Sequence, residues 1–490
     1  MQTTDWTVAA AYLLGVVALG MWLGRRQAGA SDYFLGKHSL PWWAILVSVV
    51  ATETSALTVI SIPGIGFRGD LTFLQLAFGY IIGRALVAWL LLPGYFAGEI
   101  TTAYQVLGTR WGSGARRTSS AIFMLTRALG DSVRLFATAI PLSVITGWSY
   151  PASILVLGTA TVVYTYTGGL RAVVWVDVVQ WVVYVLAGAV ALYVAWRLAP
   201  TALSAAEETG KLRVLDFHAS LTQPYTFLTA VAGGAMLSAA SHGTDHLIVQ
   251  RLLATRSLRH ARVALVGSGV VVLVQFALFL IVGAALWSAY PEGRGMAGDA
   301  VFPSFVTAHL GGGLAGLAVA GILAAAMSTV ASSLNSLASA TTHDYYAPLA
   351  GRQGDDAHLL RAGRLFTIGW AIVLVGGALL FRRREAPVVV VALSVASLTY
   401  GALLGAFVLA RFARVRERDA ITALVLGALL MAVVVFAGPL GSALGSPGWL
   451  AALSRLAWPW YVPVGTALTV GIGLGGSLLQ GSPERGEARR

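Results

Sequence analysis

The sequence predicts an all-α integral membrane protein with about thirteen transmembrane helices, and three observations carry that reading. Of 490 residues, 57% are hydrophobic and only 11% are charged. Apolar runs of about 20 residues, the length that crosses a bilayer core as a helix, recur along the whole chain. The runs are continuous, unlike the short alternating segments of a membrane barrel. With no cysteine, neither a disulfide framework nor a thiolate site can be built. The net charge of +12 fits loop arginines facing anionic lipid better than a nucleic-acid surface.

The candidate spans lie at 6–24, 41–65, 71–96, 119–146, 149–167, 173–197, 223–241, 262–289, 313–340, 364–381, 387–410, 420–437 and 458–480. The opening MQTTDW lacks a basic n-region and its apolar run continues to Gly24, so the first span reads as a retained helix. An odd number of spans puts the termini on opposite sides. With the N-terminus outside, the outer loops hold fewer than half as many arginines and lysines as the inner loops and tail, which favours N-out and C-in. The cluster Arg382, Arg383 and Arg384 falls on the outer side and runs against this. The polar stretch 352–364 reads as an inner loop and 481–490 as a disordered cytoplasmic tail.

Several spans carry polar groups that an anchor does not need. The second places Glu53 at mid-membrane among Thr52, Thr54 and Ser55, with Pro63 beyond. A carboxylate at that depth calls for a partner and is a functional residue by default. The third span holds Arg84, and the fourth holds Arg127, Asp131 and Arg134, spaced to share a face and neutralise one another. Either Arg84 or Arg134 has the chemistry to hold an anion. Asp177 opens the sixth span after TGGLRAVVW, either as a helix cap or beside a cation's exit path. His242, Asp245 and His246 have the spacing of a metal pair, yet a basic loop follows and no other histidine or carboxylate cluster answers them.

The ninth span contains AAAMSTVASSLNS, Ala324 to Ser336. Ser328 and Thr329 share a turn with Ala325, so a helix aims two hydroxyls and a carbonyl toward one region, hard oxygen donors of the kind a small cation requires. Close helix packing explains the same small residues. On the residues alone, both readings stand.

Four stretches in order resemble the sodium/solute symporter family, which includes the sodium-coupled glucose, proline, pantothenate and sialic acid transporters. They are SDYFLGKHSLPWW from Ser31, GWSYPASILVLGTATVVYTYTGGLRA from Gly147 running into WVDVVQ, GTDHLIVQRLLA from Gly243, and the Ala324 stretch closed by TTHDYY. The resemblance implies a LeuT-type core of five plus five helices in inverted repeat, with alternating access about a broken first helix in each half. The implied organisation is an extra helix in 1–30, a first repeat over 31–198, an outer loop over 199–222, a second repeat over 223–418, and two further helices within 419–480.

Carried over, the family's sodium site uses the backbone carbonyls of Ala51, Thr54 and Ala325 and the hydroxyls of Ser328 and Thr329. A second sodium in some members is served by an aspartate matching Asp177, here with Ser332 near it; Ala331 stands where such sites use a hydroxyl, so one sodium is expected. Glu53, Gln75, Arg84 and Arg134 are the candidate solute ligands. The sugar carriers' lysine and aromatic residues find no match, which points to a small polar solute such as an amino acid or a carboxylate. The implied function is sodium-coupled import across the cell membrane, with sodium as the only metal, no cofactor, no enzyme activity, no nucleic acid and no obligatory protein partner. Proton coupling through Glu53, a non-transporting sensor of the same fold, and a membrane enzyme using His242 and His246 are the alternatives.

Overall fold

A computed structural model describes residues 2–25, 27–381, 388–445 and 447–479. Among these the regular structure is helical, with one isolated bridge between Leu40 and Thr255. Arg26, the Arg382–Arg384 cluster and the tail 481–490 lie outside the described residues.

The helices that build the core and the site are α1 (Thr3–Leu23), α2 (Trp42–Glu53), α3 (Ala56–Arg68), α4 (Leu74–Leu90), α5 (Ser113–Thr146), α6 (Tyr150–Leu198) and α7 (Phe227–Gly243). They continue with α8 (His246–Leu253), α9 (Leu258–Ala289), α10 (Leu314–Ala340), α11 (Asp356–Leu380), α12 (Val388–Leu409), α13 (Glu417–Val435) and α14 (Tyr461–Leu479). Eight described helices are long and apolar enough to cross a membrane, or nine when the bent pair α2–α3 counts as one.

Local chemistry sets several boundaries. Ser149 caps α6, accepting from the Ala152 amide, with Pro151 in the first turn where a missing N–H costs nothing. Ser257 and Asp245 cap α9 and α8 in the same way. Asp355 caps α11 by accepting from the His358 amide at 3.1 Å, so that helix begins at Asp356, eight residues before the expected 364, and takes in most of the stretch read as an inner loop.

Two breaks shape the core. At Thr54 the backbone turns extended (φ −82°, ψ 99°), and α3 leaves α2 at 68°. The Val50 carbonyl accepts the Thr54 amide at 3.0 Å, and the carbonyls that follow it, Ala51 to Glu53, are those a helix end leaves without intrahelical amides. The second break lies in α6, whose 49 residues would extend about 73 Å if straight. Gly169, at φ 54° and ψ −160°, divides it into two arms. A side chain there would run into the Tyr33 carbonyl and ring, so the kink depends on glycine.

Helix α10 is the axis of the molecule: 89% of its apolar stretch is buried, against 17% for α1. Its small residues let α6 and α2 approach closely. A π-helical turn, Thr341–Tyr346, closes its end.

Candidate functional site

The α2–α3 break faces the hydroxyl-rich stretch of α10. The Thr52 and Ser332 hydroxyls lie 3.1 Å apart, joining the end of α2 to α10. Thr54 donates its hydroxyl to the Val50 carbonyl at 2.8 Å and accepts from the Gln275 amide at 2.8 Å. Thr329 donates to the Ala325 carbonyl at 3.2 Å, and Ser328 donates to Asp177 Oδ1 at 2.6 Å. Ala51, Thr54, Ala325, Ser328 and Thr329 are all buried on these two elements. Oxygen atoms dominate the donor set, which suits a small hard cation.

Asp177 does not cap a helix. It sits eight residues beyond the Gly169 break inside the second arm of α6, wholly buried. Ser48 donates to its Oδ2 at 2.5 Å, and the Arg251 guanidinium lies 3.4 Å from the same oxygen. Arg251 also donates to Ser48 Oγ at 2.9 Å, to the Leu247 carbonyl at 2.9 Å and to Ser332 Oγ. Arg251 lies in the stretch after His246 that the sequence reads as a basic loop. The structure buries it completely, because the short helix α8 folds back against α2 and α10. The space between Asp177 and Ser332, the two candidates for a second sodium, therefore contains a guanidinium.

Beside the break lies a cavity of about 240 Å³. Thr52, Glu53, Ser55 and Thr58 line it from α2 and α3, Arg127 and Arg134 from α5, and Ser241 and His242 from α7. Phe73, Tyr80, Phe276 and Trp458 supply apolar walls. Glu53 pairs with Arg84, which is fully buried and donates to Ser268 Oγ at 2.5 Å. Arg127 pairs with Asp245, lies 3.5 Å from Asp131, and donates to the Tyr400 hydroxyl at 3.2 Å. Arg134 donates through Nη1 to Asp131 at 2.9 Å, while Ser333 of α10 holds the other Asp131 oxygen. Carboxylates and guanidiniums thus balance, and Arg134, with 22% of its side chain exposed against 9% for Arg127, is the more accessible of the two arginines that line the cavity.

Gln75 is not part of this site. Its amide donates to the Thr72 and Tyr225 carbonyls at 3.1 and 2.8 Å and its oxygen accepts from the Asp216 amide, so it ties the start of α4 to the segment between α6 and α7. His246 diverges from His242: its Nδ1 accepts from the Ala103 amide and its Nε2 meets Ser339. Asp245 is occupied by Arg127 and by the Tyr400 hydroxyl at 2.9 Å. Sequence reasoning missed Ser48, Gln275 and the burial of Arg251. The signal for Arg251 was its position in LIVQRLLA, a charge flanked by apolar residues on both sides.

The family model described as sodium:solute symporter family matches residues 33–427. The chain belongs to that family. It is a sodium-coupled symporter and a multi-pass membrane protein, with sodium as coupling ion, and its family carries solutes instead of transforming them. The sodium/sialic acid symporter NanT of Aliivibrio fischeri is 27% identical over 96% of this chain and 92% of its own length. The human sodium/iodide cotransporter is 29% identical over 83% of this chain and 66% of its own. A substrate-bound, outward-open structure of a Na⁺-coupled sialic acid symporter superposes with a TM-score of 0.86, covering 99% of both chains at 24% identity, which establishes a shared fold.

Proposed function

We propose that this symporter couples one sodium ion, held between the α2–α3 break and Ser328 and Thr329, to uptake of a small polar solute carrying a carboxylate, which docks on Arg134 in the adjoining cavity. The observation that carries the solute class is Arg134 at the cavity wall: its Nη1 serves Asp131, and 22% of its side chain is exposed. Planar two-point recognition of carboxylates is what such a fork does best. Glu53 contributes through Arg84 and shapes the cavity next to the ion.

The architecture that goes with this reading has thirteen membrane passes, with residues 31–198 and 223–418 as inverted repeats, the N-terminus outside and the C-terminus inside. In its favour are the bent first helix of the first half, the Gly169 break that divides α6 into two arms, and the excess of arginine in the loops assigned to the inner side. Alternating access then proceeds by rocking one helix group against the other around the break.

One sodium moving inward down ~100 mV releases about 2.3 kcal/mol, enough for roughly fiftyfold accumulation of a neutral or zwitterionic solute. A monoanion travelling with one sodium carries no net charge, so its accumulation follows the sodium gradient alone. Proteoliposomes with an inward sodium gradient test this with labelled lactate and N-acetylneuraminate. Sodium-dependent uptake of a carboxylate, unchanged when a potassium diffusion potential is imposed and lost in Arg134→Gln, is the expected result. Sodium-driven uptake of a neutral sugar that no carboxylate inhibits would overturn the solute class.

A further inference from the structure

Two side chains that line the cavity, Ser61 and His242, each carry a buried polar atom without a hydrogen-bond partner, and the imidazole of His242 is the one that stands beside Glu53. His242 is 2% exposed, its ring lines the cavity, and its Nδ1 lies 2.8 Å from the Ser241 hydroxyl. Its Nε2 is buried without a hydrogen-bond partner and stands 3.7 Å from Glu53 Oε2, beyond hydrogen-bond reach. Buried polar atoms are nearly always satisfied, so a nitrogen left open at a cavity wall marks a place where a ligand supplies the missing group.

We propose that His242, together with Glu53, reads a neutral hydrogen-bond donor on the solute, so that the transported class is a carboxylate bearing a hydroxyl or an amide N–H. This rests on the docking of the solute carboxylate at Arg134. The polarity follows from the neighbours. We assign the tautomer with the proton on Nδ1, in which Ser241 accepts that proton and turns its own toward the Ser238 carbonyl 3.5 Å away. In that tautomer Nε2 is an acceptor, and it stands beside a carboxylate oxygen, also an acceptor. Two acceptors 3.7 Å apart suit one solute O–H or N–H placed between them. An ammonium group suits them less well, because Arg84 already neutralises Glu53. A site built to pair with a solute hydroxyl rejects the analogue that lacks it far more strongly than an apolar pocket rejects a missing methylene.

The test is sodium-dependent ligand binding to the full chain in detergent, followed by titration calorimetry, with two pairs of acids that differ only in a hydroxyl: lactate with propionate, and mandelate with phenylacetate. Wild type is expected to favour the hydroxy acid of at least one pair by about tenfold or more. His242→Phe should bring the two acids of that pair within about twofold while still binding the deoxy acid; His242→Gln, which keeps a side-chain acceptor, should retain part of the preference. An undiminished preference in both variants overturns the role of His242 and leaves the carboxylate reading intact, as does equal binding of both acids by wild type. Tighter binding of alanine than of lactate overturns the neutral donor. Failure of wild type to bind any of the acids overturns the Arg134 reading first and this inference with it.

Discussion

The guanidinium of Arg251 lies 3.4 Å from the carboxylate of Asp177, and neither side chain is exposed at all. A buried charge without its partner is costly, while exchanging both partners for neutral groups costs much less. Arg251→Met should therefore destabilise the protein by about 3–5 kcal/mol, and adding Asp177→Asn should restore most of the loss. Melting temperatures of both variants in detergent check this. Equal losses in the single and double variants would mean that the two charges do not depend on each other.

The same pair bears on stoichiometry. With Arg251 supplying the countercharge of Asp177, the proposed coupling to a single sodium predicts that sodium activation of uptake is hyperbolic. Initial rates against sodium concentration give the answer: a Hill coefficient near one is expected, and a value near two would place a second ion at Asp177 and Ser332.

Glu53 is committed to Arg84. Glu53→Gln should reduce uptake more than tenfold and lower the melting temperature, since it leaves the fully buried Arg84 unpaired. The double variant Glu53→Gln, Arg84→Gln should recover stability without recovering transport. Undiminished uptake in the single variant would make the pair purely structural.

The small-residue stretch on α10 was legible because hydroxyls three to four residues apart must share a helical face wherever the helix packs. The charge triad of Arg127, Asp131 and Arg134 was legible for the same reason. What could not be read lies in tertiary return. Arg251 and Gln75 were misplaced because hydropathy treats a polar residue near a span's end as a loop group or a site group alike. Only the fold shows that α8 turns back into the core and that Gln75 turns out to the loop. His242 was weighed by its spacing to His246, and the short turn between α7 and α8 sends the two rings to different neighbours.

Gly169 offers a check on the helix breaks. Its φ of 54° and its closeness to Tyr33, whose Cδ2 would lie 2.7 Å from an added Cβ, predict that Gly169→Ala costs about 2 kcal/mol or more. Gly15→Ala in α1, where nothing lies within 4 Å, should be neutral or slightly stabilising. Melting curves of the two variants decide this, and equal effects would contradict the left-handed kink.

The most direct measurement is the thermal stability of the detergent-purified protein titrated with sodium, and with potassium or choline at constant ionic strength, for wild type and for the Ser328→Ala, Thr329→Ala variant. A ligand that binds only the folded state stabilises it by about 2.7 kcal/mol at a hundred times its dissociation constant. A saturable rise in melting temperature specific to sodium, absent from the variant, is the predicted result. Equal responses to sodium and potassium in both proteins would contradict an ion site between the α2–α3 break and α10.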